Sequence, residues 1–230
     1  MTPSVPSTEA EVILEARNLR KLYSASSTTF LQSSHRAVAV DGVSFSVARG
    51  AALRGLRRRM QMVFQDPVAS LNPRMRVGEI VGEPLAIHEP GVSRVKRRES
   101  AIEILQAVGI GAEAFDRYPH EFSGGQRQRI GIARALILRP ELVIADEPVS
   151  ALDVSVGAQI LELLARLQRE FSLTLILISH SLPVVAQLAT RVAVMQAGKF
   201  VEIGGAEKVL TAPEHPYTVA LLAAVPEIPA

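Results

Sequence analysis

Residues 122–153 read FSGGQRQRIGIARALILRPELVIADEPVSALD. A serine and two glycines begin a helical pattern there, and residues 142–145 form an apolar run that ends on Asp146 and Glu147. Ser123 is a helix-capping residue type, and glycines at a helix start let backbone N–H groups approach an anion closely. Two acids at the end of a buried strand lie where α/β proteins place their ligands. This stretch therefore predicts an α/β fold with a ligand site at one sheet edge.

A second apolar strand is predicted close to the first. Residues 154–170 have the spacing of an amphipathic helix, and residues 173–178 form another apolar run that ends before His180. Two continuous apolar strands separated by a helix predict a parallel sheet that is covered on both faces. Taken alone, a histidine or a pair of acids after a strand is most often structural. Together they place three titratable side chains at the same sheet edge.

The rest of the chain contributes strands and helices on both sides of this stretch. Partly alternating apolar residues predict two antiparallel strands, at 12–16 and 38–47, with a Ser/Thr-rich loop at 24–34 between them. The remaining predicted elements are a short strand at 60–64, helices at 76–87, 94–108 and 123–138, a hairpin of 192–195 with 200–203, and a terminal helix at 216–225.

Composition excludes several functional classes. The chain has 230 residues, 48% of them apolar, and 25 basic against 23 acidic residues leave a net charge of +2. This is too little for a dedicated nucleic-acid-binding protein, and disorder of the whole chain is excluded. Because there is no cysteine, disulfide scaffolds, thiolate zinc sites and cysteine nucleophiles are excluded as well.

Membrane insertion and secretion are not expected from the pattern of apolar residues. No apolar run approaches the ~20 residues that span a bilayer. Residues 1–10 are rich in Ser, Thr and Pro, which predicts a flexible tail and not a signal peptide. We therefore expect a cytoplasmic chain.

With these motifs in this order, the sequence resembles the nucleotide-binding subunits of ATP-binding cassette (ABC) transporters. Residues 122–126 resemble the family signature, with Phe122 where many members have leucine. Residues 142–147 resemble the Walker B strand and 150–153 the D-loop, while His180 matches the switch histidine and Gln65 the Q-loop. Several independent motifs in the right order make this resemblance specific.

Three further segments are similar to the oligopeptide/dipeptide import class. They are residues 63–67, residues 70–73 and the sequence HPYT at 215–218. The resemblance implies an ABC-type P-loop NTPase fold with a parallel sheet core, an antiparallel β subdomain and an α-helical subdomain at about 70–138. The implied organisation is a tail at 1–10, a nucleotide-binding domain at 11–212 and an importer-type C-terminal tail at 213–230.

The resemblance also implies roles for individual residues in a site for ATP and Mg²⁺. Glu147 would be the general base for the attacking water, and His180 would contact the γ-phosphate. Asp146 and Gln65 would serve the Mg²⁺ shell, and Tyr23 would stack on adenine. Serine at 181, where an aspartate commonly follows the histidine, departs from the family pattern and weakens the assignment of His180.

A second group of residues would act on ATP held by another subunit, since these domains sandwich nucleotide between two chains. This group comprises Ser123, Gly124, Gly125, Gln126 and Asp153. The implied partners are a second ATP-binding subunit and membrane-spanning permease subunits, which residues 68–87 would face. The implied location is the cytoplasmic side, peripheral on the inner face of the cell membrane.

The family's phosphate loop, G-x-x-x-x-G-K-[ST], is absent from the sequence. Of the four lysines only Lys199 follows a glycine, and Phe200 comes next instead of Ser or Thr. Only fifteen positions separate Gly50 from Gln65, whereas a strand, phosphate loop and helix need about 30 residues or more. We therefore predict that this unit is deleted at Gly50/Ala51, that the chain alone binds ATP weakly and turns it over negligibly, and that the sheet has exposed apolar surface.

Two other functions are considered. The first is a non-catalytic remnant or regulatory protein that docks on transporter subunits through residues 68–87. The second is DNA maintenance, whose proteins share the signature but insert long coiled coils, and no sustained heptad run occurs here. The basic clusters at 54–59 and 94–98 are interpreted as solvated helix faces and not as a nucleic-acid site.

Overall fold

A computed structural model describes residues 12–24, 36–48 and 53–224. The chain divides into two compact units, one of residues Leu53–Ala189 and one that combines Met1–Ala52 with Thr190–Ala230. We call them the central unit and the hairpin unit. The predicted tail at 1–10 lies outside the described residues, as does the predicted loop at 24–34 except for Ser24, which ends the first strand.

The described strands and helices alternate along the chain. The strands are β1 (Val12–Ser24), β2 (Arg36–Ala48), β3 (Met60–Val63), β4 (Leu142–Asp146), β5 (Thr174–Ile178), β6 (Arg191–Gln196) and β7 (Lys199–Gly205). The α-helices are α1 (Leu53–Arg59), α2 (Pro67–Ser70), α3 (Val77–His88), α4 (Arg94–Ala107), α5 (Gly124–Leu136), α6 (Val154–Glu170), α7 (Leu182–Leu188), α8 (Ala206–Thr211) and α9 (Pro216–Ala223). Two 3₁₀ turns, Ala112–Asp116 and Pro119–Glu121, precede α5.

The central unit is built on a three-stranded parallel sheet in the order β3-β4-β5. Met62, Ile144 and Ile176 lie side by side in this register. Because all three strands run in the same direction, their carboxyl ends meet at one edge of the sheet. The parallel arrangement predicted for the two apolar strands is confirmed.

One face of this sheet is covered by helices. Val63, Val143 and Ala145 are at most 2% exposed and belong to one apolar core with residues of α5 and α6. The leucine stripe of α6 lies in buried positions, at Leu161, Leu164 and Leu167. Burial of this stripe confirms that it packs within the protein and is not a dimer zipper.

The opposite face is open on the β5 side, so the prediction of a sheet covered on both faces is wrong for the described structure. Ile176 is 47% exposed and Ile178 is 48% exposed. Among the strands that the structure describes, β5 pairs with β4 alone. Nothing in these ranges therefore covers the side chains on this side of β5.

The hairpin unit contains two antiparallel strand pairs, β1 with β2 and β6 with β7. The turn between β6 and β7 consists of Ala197 (φ 49°) and Gly198 (φ 81°), and left-handed residues at both positions suit a tight hairpin. β1 continues beyond the predicted end at residue 16, because its pairing with β2 goes on as far as Ser24.

Both basic clusters lie on exposed helix faces in the central unit. Arg58 pairs with Glu89 at 2.6 Å, Arg59 with Glu141 at 2.6 Å, and Arg98 with Asp116 at 3.2 Å. These arginines have carboxylate partners within the protein, which agrees with the interpretation of solvated helix faces.

Candidate functional site

Glu147 lies at the carboxyl edge of the sheet, directly after β4. Its φ is +44°, a conformation that non-glycine residues adopt rarely and that is frequent at functional sites. Its backbone N–H donates to the carbonyl of Ile178 at 2.9 Å, which ties the turn to the end of β5. The Ser150 hydroxyl and backbone N–H both donate to the carbonyl of Glu147. The sequence analysis assigned no supporting role to Ser150, although a serine shortly after a strand end is a common turn signal.

The carboxylate of Glu147 contacts side chains from both neighbouring strand ends. Gln65, just past β3, donates from Nε2 to Glu147 Oε2 at 3.0 Å. Nδ1 of His180, just past β5, lies 2.8 Å from Glu147 Oε1. The structure therefore brings together the three predicted residues Gln65, Glu147 and His180 around a single carboxylate.

The accessibility of this group suits proton transfer. The Glu147 side chain is 24% exposed and the His180 side chain is 75% exposed, so a substrate water could approach the carboxylate from the solvent side. A carboxylate held in place by two neighbours can accept a proton from a bound water.

The residues that could hold Mg²⁺ are few, and all of them are oxygen donors. Asp146 ends β4 and is half-buried, and Gln65 offers an amide oxygen just past the neighbouring strand β3. Among residues 53–224 and the two described N-terminal strands, no group of three or more His, Asp or Glu could hold a metal ion. One or two protein oxygens suit Mg²⁺, which usually takes its other ligands from phosphates and water. The donor set thus fits Mg²⁺ that arrives with a nucleotide, but not a resident metal cage.

The signature segment begins α5, as predicted. The Ser123 hydroxyl accepts from the N–H of Gln126 at 3.3 Å, and Gln126 Oε1 accepts from the N–H of Ser123 at 3.0 Å. This capping box leaves the other first N–H groups of the helix for an external acceptor. Gly124 is exposed, whereas Gly125 is buried against Val156, where any Cβ would collide.

Asp153 begins the helix that follows the Walker B strand. Its carboxylate accepts from the N–H of Val156 at 2.9 Å and caps α6. Leu152 approaches Gly124 from the same loop. The structure therefore places the predicted D-loop beside the signature glycines. Tyr23 lies on β1 in the hairpin unit, opposite Ala37, and its predicted stacking on adenine stays a prediction.

Two family models match this chain. Residues 27–150 match the ABC transporter model, and residues 201–230 match the C-terminal region of oligopeptide/dipeptide transporters. Since the first match covers more than half of the 230 residues, the chain belongs to the ABC transporter family. The second match relates it to the oligopeptide/dipeptide branch, as the C-terminal HPYT sequence predicted.

Curated relatives of this chain are ATP-binding proteins of oligopeptide transport. The oligopeptide transport ATP-binding protein OppF of Escherichia coli is 56% identical over 173 residues, which are 75% of this chain and 52% of OppF. The corresponding protein AppF of Bacillus subtilis is 43% identical over 260 residues, covering 94% of this chain and 79% of AppF. The chain spans about half the length of the first of these relatives.

A solved structure supports the fold. cbiO1 from Clostridium perfringens, part of the ABC transporter complex cbiONQ, has a TM-score of 0.64 at 23% identity, over 88% of this chain and 92% of cbiO1. The fold is therefore the α/β fold of ABC ATP-binding domains. In the part of the chain that the structure describes, no helix is long and apolar enough to cross a membrane.

Proposed function

We propose that this chain is an ATP-binding, energy-coupling subunit of an ABC importer for peptides or similar solutes. The observation that carries the proposal is the arrangement of Gln65 and His180 around Glu147 at the sheet edge. Its relatives in E. coli and B. subtilis are oligopeptide transport ATP-binding proteins, which supports peptides as the solute class.

In the proposed mechanism Glu147 accepts the proton of the attacking water. Gln65 donates to one carboxylate oxygen and His180 lies against the other, so that the carboxylate is oriented before substrate arrives. Asp146 and Gln65 would contribute oxygens to Mg²⁺, which shields the phosphate charges when it is bound with ATP. His180 would contact the terminal phosphate.

We propose that hydrolysis of ATP held by this chain alone is impaired. The alignment with AppF runs over 260 positions but includes only 94% of the 230 residues of this chain. About 40 positions of AppF therefore have no counterpart here. This gap is longer than the ~30 residues of a strand–loop–helix unit. The open side of β5 also supports a lost neighbour. Without the phosphate-loop amides and lysine, most of the contacts that hold the β- and γ-phosphates are lacking.

A role in trans is compatible with such a chain. The signature segment 123–126 is intact, and the capping box holds its helix start in a defined conformation. We infer that this segment completes an ATP site on a second ATP-binding subunit, with Asp153 and the D-loop beside it. The two subunits would then contribute unequally to ATP turnover.

A groove between α3 and α4 supports contact with permease subunits. Its volume is about 510 Å³, and its lining includes Gly78, Gly82 and Phe115 together with Arg94 and Arg97. An added Cβ at Gly82 would meet no atom within 4 Å, so the groove has free space above this part of α3. The groove includes part of the segment 68–87. Binding there would hold the chain at the inner face of the membrane.

The test is ATP turnover by a full-length ATP-binding subunit of a peptide importer, with and without this chain. We expect the chain to raise turnover severalfold, and Gly124→Asp to abolish the gain, because a carboxylate at the helix start repels phosphate. Gly124 suits this test better than Gly125, whose substitution would disturb Val156.

Gly91→Asp is the matched control. Gly91 lies in the loop between α3 and α4 with no atom within 4 Å of an added Cβ, so this variant should stimulate like the unmodified chain. Absence of any stimulation, combined with absence of nucleotide binding, would favour the non-catalytic remnant. Turnover by the chain alone that Glu147→Gln abolishes would contradict the impairment.

A further inference from the structure

Two side chains of α5, the helix that begins with the signature segment, donate hydrogen bonds to the segment that contains Gln65. Gln128 is 1% exposed, and its Nε2 donates to the carbonyl of Phe64 at 3.4 Å. Arg134 donates from Nη1 to the carbonyl of Ser70 and lies 6.0 Å from the centre of the Phe64 ring. Phe64 and Ser70 lie on either side of Gln65 in the chain.

The segment between these two anchor points is itself ordered. The Asp66 carboxylate accepts from the N–H of Ala69 at 3.1 Å, and the Asp66 carbonyl accepts from the N–H of Ser70 at 3.1 Å. These bonds form the short helix α2 and connect the two anchors through a closed turn. A shift of α5 would therefore move this segment as one piece.

Because Arg134 is partly buried, water is a poor substitute for the carbonyl of Ser70 as its hydrogen-bond acceptor. The guanidinium is partly buried, and burial lowers the pKa of Arg134 from its ordinary value. A buried cation that lost its carbonyl acceptor would carry the cost of an unmade hydrogen bond. The carbonyl of Ser70 is thus a strongly preferred partner.

We propose that Gln128 and Arg134 are positioning residues that hold Gln65 against Glu147 and connect that contact to the signature helix. One consequence of this proposal rests on the proposed function: a nucleotide bound at residues 123–126 changes the Gln65–Glu147 contact. The anchoring itself concerns the chain alone. Neither side chain touches the reacting groups, so both act through Gln65.

The experiment follows the side-chain amide signal of Gln65 by NMR in the complete ¹⁵N-labelled chain. The signal is assigned by its loss in Gln65→Leu. We expect Arg134→Met to move it towards the position of an exposed glutamine amide. Gln128→Met, which keeps the side-chain volume in a buried site, should move it in the same direction, and it serves as the second variant should Arg134→Met fail to fold.

Arg129→Met is the matched control. Arg129 also lies on α5 and donates to a backbone carbonyl, that of Val108 at 2.8 Å, in a different segment. A general loosening of α5 would move the Gln65 signal equally in Arg129→Met and Arg134→Met, and that result would overturn the proposal. An unmoved signal in both Arg134→Met and Gln128→Met would overturn it too.

A second measurement separates this inference from the proposed function. On addition of the full-length partner subunit with a non-hydrolysable ATP analogue, the Gln65 signal should shift in the unmodified chain and shift less in Arg134→Met. If the partner has no effect on any variant, the trans role fails while the anchoring result in the free chain stands. A full-sized shift in Arg134→Met would show that the contact is not coupled through this anchor.

Discussion

The strands β4 and β5 are neighbours in one sheet, but their side chains on the open face differ in exposure. Ile144 of β4 is part-buried, whereas Ile176, which lies beside it on β5, is 47% exposed and Ile178 is 48% exposed. Apolar β-branched side chains on an uncharged edge strand are unusual, because such edges pair with other chains. An open face on the β5 side is what the proposed deletion of the phosphate-loop unit would leave.

The largest effect is expected from restoring that unit. Insertion of the strand–phosphate loop–helix segment of OppF between Gly50 and Ala51 should bury Ile176 and Ile178 and raise ATP turnover by the chain. Because the inserted loop would hold the phosphates next to Glu147, we expect a rise on the order of 10²–10⁴-fold, the usual contribution of a general base that acts on a positioned substrate. It should disappear in Glu147→Gln. A restored chain with turnover no higher than that of the original would contradict the explanation of the open face.

A smaller effect is expected from a matched pair of isoleucine truncations. Ile130 of α5 is 0% exposed and Ile176 is 47% exposed. Ile130→Ala should lower the free energy of unfolding by about 2–5 kcal/mol, whereas Ile176→Ala should lower it by less than about 1 kcal/mol. Urea unfolding of both variants measures the two values. Equal losses would mean that β5 is covered in solution, for example by a second copy.

The smallest effect concerns the pH dependence of stability and depends on the exposed salt bridge between Arg59 and Glu141, just before β4. The side-chain hydrogen bond from Arg59 lowers the pKa of Glu141 from its ordinary value of 4.5. A lowered pKa in the folded chain adds stability above the unfolded pKa, and this stability is lost as pH falls through the folded pKa. Unfolding midpoints of the unmodified chain and Glu141→Gln should therefore differ slightly at pH 7 and converge below about pH 4.

Glu162→Gln is the control for this measurement. Glu162 is exposed on α6 in the same unit, so the same loss of charge occurs away from Arg59. A difference between unmodified chain and Glu141→Gln that grows as the pH falls would mean that Arg59 does not lower the pKa of Glu141.

Much of the fold could be predicted from periodicity and capping residues. α6 has the predicted bounds, because a capping aspartate and a regular apolar stripe define a helix locally. α1 was expected only as a basic helix face at 54–59 and not from periodicity, since its residues LRGLRRR show no apolar period. α7 and α8 were not predicted; they have seven and six residues, too few for a periodic pattern to appear.

The candidate site could be predicted as a set of residues but not as a network. Gln128 and Arg134 belong to a helix in which polar residues are frequent. Nothing in the sequence distinguishes the polar residues that hydrogen-bond to another segment from those that face solvent. Which carbonyl a side chain reaches depends on how α5 packs against α2 and β3, and that packing is decided across the whole unit.

The amino-acid sequence alone determined the family, the order of the motifs and the absence of the phosphate-loop motif, because each motif consists of residues that are close together in the chain. Tertiary structure decided that Gln65 and His180, which are 82 and 33 positions from Glu147, meet at one carboxylate. It also decided which face of the sheet stays open. Both outcomes follow from strand order and register, which arise from burial summed over the sheet and not from any one segment.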